Sequence, residues 1–430
     1  MKLSDILGLN SRNFIYTSRY NRTAGKKIAD NKLLTKSALK KANLATPRLY
    51  KVITNEADLN SFDFSKIGES FVIKPNRGLG GKGIIVIEKP GKKPGTWITS
   101  ERSKVTLADL QLHILDILEG SFSMNDAPDI AYVEERVRIH PAFADYAYRG
   151  TPDIGVLVFN RIPVMAFLRL PTKESAGRAN LFQGAVACGI DIAAGVTTHS
   201  IQHTETIAFF PGTRKRLAGI LIPEWDKVLK LAIQASEASG LGYMRADIVL
   251  QPSLKTPGKT IPKILELNAQ PGLKIQLCNK AGLRRRLERV EDLEVESPEK
   301  GIRIAKELFG DKRIMDKYSP RKSIGVFETI LIEDANGKTH EVKVKVDTGA
   351  DRSSIDRNLA ESLGLLAPEN VLFTRHYESA LGTSERPIIK IKYKLAGKSI
   401  DSTASVADRT GLKRSMLVGR KDLKGFVIEF

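Results

Sequence analysis

The sequence predicts an α/β (α+β) domain over residues 1–312 and a small, mostly-β domain over 323–430, joined by a linker at 313–322. Three observations predict this. Helical and strand-like periodicities interleave through the first part of the chain. A polar, basic, proline-bearing stretch, GDKRIMDKYSPRKS (310–323), then interrupts them. Beyond it the pattern changes to short alternating strands and turns. A chain of 430 residues is also long for one hydrophobic core, so two or three domains are expected.

Taken in order, residues 30–45 (DNKLLTKSALKKANLA) read as an amphipathic helix stopped by Pro47. FVIKP (71–75) is a short apolar strand, and GIIVIE (83–88) is a second one after a glycine-rich segment. LADLQLHILDILEG (107–120) has helical spacing and a glycine stop. Strands follow near 131–138, 154–159 and 162–169, then a helix near 224–239. A strand pair at 245–251 and 262–268 is expected to fold near Pro257. In the second domain, Asn336-Gly337 between alternating segments predicts a hairpin.

Apolar residues make up 42% and charged residues 27%, values of a globular protein. No apolar run is long enough to span a membrane, and no signal-peptide pattern opens the chain. The two cysteines, Cys188 and Cys278, form no disulfide framework and fit a reducing compartment, so a cytoplasmic location is expected. The net charge of +19 raises the question of nucleic acid. The basic residues are dispersed, and runs such as Arg284-Arg285-Arg286 are not interleaved with aromatics, so no nucleic-acid partner is expected.

Two segments carry chemistry. Lys74 to Gly83 holds four glycines and two lysines in ten residues, between two strands. A P-loop would need GxxxxGK[ST] and a following helix, and a dinucleotide-binding turn would open a helix; neither occurs. A glycine-rich tip between strands instead suggests a flap. Its backbone N–H groups could cover phosphates, with Lys82 and Lys74 adding charge. An ordinary hairpin with a glycine turn is the alternative. The second segment is Arg245-Ala246-Asp247 with Glu266-Leu267-Asn268. In a hairpin Asp247 falls opposite 266–268, and Glu266 and Asn268 share one face. Three oxygen donors then converge, as Mg²⁺ between carboxylates and phosphates requires. Solvated strand-end groups remain the alternative.

Together these segments resemble the ATP-grasp superfamily, and more narrowly the alpha-L-glutamate ligase-like relatives of ribosomal-protein glutamate ligases. The matching stretches include SRNFIYTSRYNR (11–22), DNKLLTK (30–36), FVIKPNRGLGGKGIIVI (71–87), GRANLFQGAVACGIDIAAG (177–195) and ILELNAQPGLKIQLCNKAGL (264–283). The resemblance implies an ATP-dependent carboxylate–amine ligase working through an acyl phosphate on an amino-acid or peptide substrate. It places Lys36 and Lys74 on ATP phosphates and Gly78, Gly80, Gly81, Lys82 and Gly83 in the lid. Glu134 and Glu135 fall at the adenine and ribose. Asp247, Glu266 and Asn268 are implied on Mg²⁺, with Mn²⁺ as an alternative, and Arg169 and Asn180 at the transfer site. Gly155 stands where relatives carry an arginine, and Arg245 where a small residue is usual.

In the second domain, Val346-Asp347-Thr348-Gly349 ends a strand, and Met416-Leu417-Val418-Gly419 follows later. The pair looks like one lobe of an aspartic protease, and with SVADR (405–409) it resembles the retropepsin-like family labelled ATP-dependent zinc protease. That resemblance implies Asp347 as a catalytic carboxylate. A second carboxylate would come from a homodimer through this domain. No HExxH occurs, and no zinc is expected. A different reading makes the first domain a nucleotide-binding regulatory module for that peptidase.

Overall fold

The structure, a computed structural model, describes residues 3–429 apart from 79, 254, 255, 257, 312, 315–321, 380 and 381. The expected turn at Pro257, and all of the expected 313–322 linker except residues 313, 314 and 322, therefore lie outside the described residues. The chain divides into two compact units, Met1–Tyr318 and Ser319–Phe430.

The first unit holds two antiparallel sheets. Strands β1 (Leu49–Ile53), β2 (Phe71–Pro75), β3 (Ile85–Pro90), β4 (Thr96–Thr99), β5 (Lys104–Thr106) and β6 (Ala131–Glu135) form the first, in the order β1-β6-β2-β3-β4-β5. Phe71, Ile73, Ile87 and Val133 line its buried face. They pack with Leu110, Ile114 and Ile117 of helix α2 (Leu107–Leu118), whose spacing of four and three puts them on one side. Thr106 and Asp109 form a capping box at the start of α2, and Gly120, at φ +94°, follows its end. Helix α1 (Lys32–Lys41), capped where the Leu34 N–H donates to Asn31 Oδ1 at 2.9 Å, carries Lys32 and Lys36 one turn apart.

Strands β7 (Asp153–Phe159), β8 (Ile162–Leu170), β9 (Val186–Asp191), β10 (Val196–Gln202), β11 (Glu205–Ile207), β12 (Tyr243–Pro252) and β13 (Thr260–Asn268) form the second sheet. Its order is β11-β10-β9-β8-β7-β12-β13. β7 and β8 are buried almost throughout, since both faces are covered. Helix α3 (Trp225–Ser239) packs against β7 and β12 through Val228, Leu229, Ala232 and Ile233. Helix α4 (Pro298–Phe309) lies on α3 and β8. The two cysteines are buried and free. Among the described residues, no helix is long and apolar enough to cross a membrane.

The second unit is a β-barrel. Its strands are β14 (Lys322–Gly325), β15 (Phe327–Glu333), β16 (Thr339–Asp347), β17 (Ser353–Asp356), β18 (Val371–Ser379), β19 (Gly382–Leu395), β20 (Lys398–Ala407), β21 (Met416–Gly419) and β22 (Phe426–Glu429). Seven run in the order β15-β16-β21-β17-β20-β19-β18, and β15 also pairs with β19, which closes the barrel. The expected hairpin at Asn336-Gly337 joins β15 to β16, with Gly337 at φ +79°. The barrel core is Ile330, Val344, Ile355, Ile391, Val406 and Val418 with their neighbours.

Candidate active site

The glycine-rich segment joins β2 to β3, which pair antiparallel with Phe71 opposite Ile87 and Ile73 opposite Ile85. Gly80, Gly81 and Gly83 adopt φ of +62°, +80° and +71°, values that disfavour a side chain. A Cβ on Gly83 would also stand 2.6 Å from Cγ of Phe122. The tip is held at its root by Lys32, whose Nζ donates to the carbonyls of Asn76 (3.3 Å) and Gly78 (3.1 Å). Leu79 lies outside the described residues. Gly81 approaches Arg178, and Gly80 approaches Asn180, so the tip reaches the loop before β9.

Below the tip two adjoining cavities lie between the sheets. The first, of about 430 Å³, has apolar walls from Val72, Ile84, Val86 and Leu265, with Glu134 and Glu135 beside them. The second, of about 570 Å³, is lined by Lys32, Lys74, Arg169, Arg245, Asp247 and Glu266, among others. Lys74, Gly81, Asp153 and Arg178 border both.

Glu134 ties the site together. It is 2% exposed and bonds Lys36 Nζ at 2.6 Å and Lys74 Nζ at 2.5 Å. Burial pushes the Glu134 carboxyl up, but the ammonium groups of Lys74 and Lys36 outweigh it and hold it below its usual range. Burial pushes Lys36 down. Lys36 also donates to the Pro47 carbonyl at 2.9 Å and lines neither cavity, so it supports Glu134 from behind. Glu135 accepts from Lys263 (2.6 Å), Gln251 (2.9 Å) and the Arg48 N–H (3.0 Å).

The β12–β13 register places Asp247 opposite Glu266 and Arg245 opposite Asn268, with a bulge after Asp247. Asp247 accepts from Arg169 Nη2 (2.7 Å), from Arg245 Nε and Nη2 (2.6 and 2.7 Å) and from Asn268 Nδ2 (3.1 Å). Burial pushes Asp247 up, but the Arg169 and Arg245 guanidiniums hold it well below the carboxylate range. Burial and the Asp247 charge push the Glu266 carboxyl up. Arg169 also grips Asp153 through Nε (2.6 Å) and Nη2 (2.9 Å), and burial raises Asp153. Buried Asp247 and half-buried Glu266 stand beside the Asn268 amide, so two carboxylates and one amide carbonyl are available as hard oxygen donors. A hard divalent cation suits these oxygens, its charge offsetting the repulsion between the two carboxylates, once the guanidiniums now on both Asp247 oxygens turn toward phosphate.

Gly155 and Arg245 are linked. Gly155 sits opposite Asp247 on β7, and a Cβ there would stand 2.2 Å from Cε1 of Phe167 and 3.0 Å from Cδ of Arg245. The space beside Gly155 is thus occupied by the Arg245 side chain. The guanidiniums of Arg245 and Arg169 both lie over the Phe167 ring, at 5.5 and 5.7 Å from its centroid. A guanidinium therefore reaches Asp247 from β12 rather than from β7.

Asn180 caps the short turn at 181–183, its Oδ1 accepting from the Phe182 N–H at 2.9 Å, and borders the larger cavity. Lys82 is exposed on the tip. Asp347 is in the other unit, at the end of β16, in register with Gly419 of the parallel strand β21. Its Oδ1 accepts from the Gly349 N–H at 2.9 Å. Sequence reasoning did not single out Lys32, Asp153 or Arg178. Lys32 could have been found from its one-turn offset to Lys36; Asp153 and Arg178 lie in loops or strand ends without a local signal.

Two sheets facing each other across a cleft, one of them carrying a glycine-tipped flap, define an ATP-grasp fold. The chain belongs to the sugar-transfer associated ATP-grasp family, whose family model matches residues 11–292. Among solved structures it is similar to D-alanine–D-alanine ligase from Bacillus anthracis complexed with ATP, at 16% identity and a TM-score of 0.36, over 66% of this chain and 70% of that one. L-amino acid ligase from Bacillus licheniformis is matched at 14% identity and a TM-score of 0.32, over 60% of this chain and 44% of that one. The protein Lpg0085 of unknown function (DUF785) from Legionella pneumophila matches at 13% identity and a TM-score of 0.17, over 25% of this chain and 92% of that one. No curated protein matches the sequence significantly.

Proposed function

We propose that the first unit is an ATP-dependent carboxylate–amine ligase. One observation carries the reading. A carboxylate pair, buried Asp247 and half-buried Glu266 opposite it, lies in a cleft whose other walls carry Lys32, Lys74, Arg169 and Arg178 under a glycine-tipped flap. Acids and bases so arranged suit the charge distribution of a nucleotide triphosphate. Adenine occupies the apolar cavity beside Glu134 and Glu135, and the triphosphate runs past Lys74 under Gly78–Gly83. Asp247, Glu266 and Asn268 would hold Mg²⁺, which when bound supplies neutralising charge to the phosphates.

The substrate carboxylate attacks the γ-phosphorus, giving an acyl phosphate and ADP. The amine then attacks the acyl carbon, loses a proton and expels phosphate. Arg169 and Asn180 orient the transferring group, and the closed flap keeps water from the acyl phosphate. The added unit is an amino acid such as glutamate, joined to a peptide or small molecule. The family's description favours a sugar-bearing acceptor. In this reading the second unit is an aspartyl-protease-like lobe acting on the same class of product. Asp347 meets its copy across a two-fold axis there.

A second reading, a nucleotide-binding regulatory module, is favoured by the double guanidinium grip on Asp247, which occupies both of its oxygens. Incubation with ATP, Mg²⁺ and a panel of amino acids and amino-sugar or peptide acceptors decides between them. ADP release that depends on both substrates, and is absent in Glu266→Gln, supports the ligase. Tight ATP binding with no substrate-dependent turnover supports the module.

A further inference from the structure

The larger cavity of the first unit carries two cations that the nucleotide reading leaves unused. Arg12 and Lys274 border this cavity and not the apolar one beside Glu134 and Glu135. Both are half-buried, and both are held by neutral oxygens. Arg12 donates from Nε and Nη2 to Asn13 Oδ1, at 2.9 and 2.8 Å, and from Nη1 to the Pro271 carbonyl at 3.3 Å. These bonds leave an N–H on each terminal nitrogen of the guanidinium to reach a ligand. Lys274 donates from Nζ to the Leu181 carbonyl at 3.3 Å and lies 4.4 Å from the centroid of the Phe182 ring.

Among the described residues, no carboxylate pairs with either cation. The acids that line the cavity are engaged elsewhere. Asp153 pairs with Arg169, Asp247 pairs with Arg169 and Arg245, and Glu266 lies opposite Asp247. Eight lysines and arginines line the cavity against three carboxylates. A triphosphate already neutralised in part by Mg²⁺ leaves some of that surplus unbalanced. A half-buried cation gives up hydration, and an anionic ligand restores what is lost. Phe182 supplies an apolar complement, since its ring is 82% exposed and borders the same cavity beside Lys274. A short hydrocarbon stem between two acidic groups would cover that ring.

We propose, resting on the ligase reading above, that Arg12 and Lys274 determine specificity by holding a second acidic group of the ligated amino acid, the one that does not react. The Arg12 fork engages two oxygens of that group, Lys274 adds a third contact, and Phe182 covers the stem. A carboxylate and a phosphate ester both present such oxygens.

The test is isothermal titration of the full-length protein, saturated with AMP-PNP and Mg²⁺, separately with glutamate, O-phosphoserine and the neutral isostere glutamine. Wild type is compared with Arg12→Gln and Lys274→Gln, whose folding is verified by melting temperature. At least one acidic amino acid should bind about tenfold more tightly than glutamine, and each variant should lose that preference while binding glutamine as wild type does. Tighter binding of glutamate assigns a carboxylate as the held group; tighter binding of O-phosphoserine assigns a phosphate ester. A wild type that does not distinguish acidic from neutral ligands, no saturable binding of any of the three, or a preference undiminished in either variant overturns the assignment. So does an equal loss of AMP-PNP affinity in the variants, which would put both cations on the γ-phosphate. Substrate-dependent ADP release, measured alongside, separates the two readings. Charge-selective binding without turnover sinks the ligase reading alone, and turnover with neutral amino acids as efficient as with acidic ones sinks only the specificity assigned to Arg12 and Lys274.

Discussion

Replacing Glu134 by Gln should be among the most destabilising single changes in the first unit. Its carboxylate is buried between two ammonium groups, at 2.6 Å from Lys36 and 2.5 Å from Lys74, whose side chains are 8% and 17% exposed. Glutamine keeps the shape but removes the charge, leaving two cations close together with little water. Removing one partner of a buried ion pair costs about 3–5 kcal/mol. At roughly 2–4 °C per kcal/mol for a unit of this size, the melting temperature should fall by about 10 °C. The pH dependence checks the cause. Because the folded-state Glu134 pKa is depressed, its contribution is present above the unfolded value of about 4.3 and is lost as pH falls through the folded value. The acid limb of the stability profile should therefore flatten in Glu134→Gln. Calorimetry between pH 3 and 7 at roughly 0.1 M salt measures both effects. A triple variant, Glu134→Met with Lys36→Met and Lys74→Met, removes all three charges and should recover most of the stability while losing ATP affinity. A loss below about 1 kcal/mol in Glu134→Gln, with an unchanged acid limb, would refute the assignment of Glu134 as the electrostatic keystone.

Three further outcomes follow. Glu266 has a raised pKa, so its contribution is present below about pH 4.3 and lost as pH rises through the folded value; without divalent cation, Glu266→Gln should melt higher than wild type at pH 8, and an equal or lower melting temperature would count against repulsion between Glu266 and Asp247. Gly155→Ala should cost about 1–3 kcal/mol, since its Cβ would meet Phe167 Cε1 at 2.2 Å, and a wild-type denaturation midpoint would contradict that packing. Amide exchange at Gly80, Gly81 and Gly83 should slow when ATP and Mg²⁺ are added, because the tip's N–H groups would then be engaged by phosphate; unchanged exchange would argue against the flap.

Much of the fold was legible because its signals are local. FVIKP maps onto β2 without a shift, and residues 107–120 contain α2 with the expected glycine stop. The 245–251 and 262–268 segments pair as expected, since alternation and a Pro/Gly-rich connector specify a hairpin without outside help. The bulge after Asp247 was not legible. It depends on two strands accommodating Leu265 at one step, and nothing in either strand alone marks it. The closure of the second unit through β15 and β19 was equally hidden, because pairing between strands more than fifty residues apart is set by the barrel and not by a turn.

The site shows the same division more sharply. Residues that share a strand or a helix turn, such as Glu266 with Asn268 or Lys32 with Lys36, can be related by spacing. The relation between Gly155 and Arg245 cannot, since ninety residues separate them in sequence and one strand-to-strand step separates them in space. Read along the chain, Gly155 is the loss of a cation and Arg245 an intruding bulky side chain. In the folded sheet each accounts for the other. The missing Cβ opens the room that Arg245 Cδ enters, and Phe167 stacks beneath both Arg245 and Arg169. Asp247 thereby keeps two guanidinium partners although its neighbour on β7 has no side chain. A substitution at either position alone would break this compensation, so Arg245→Ala should raise the Asp247 pKa and weaken the protein, whereas Arg245→Lys should restore charge but not the paired hydrogen bonds.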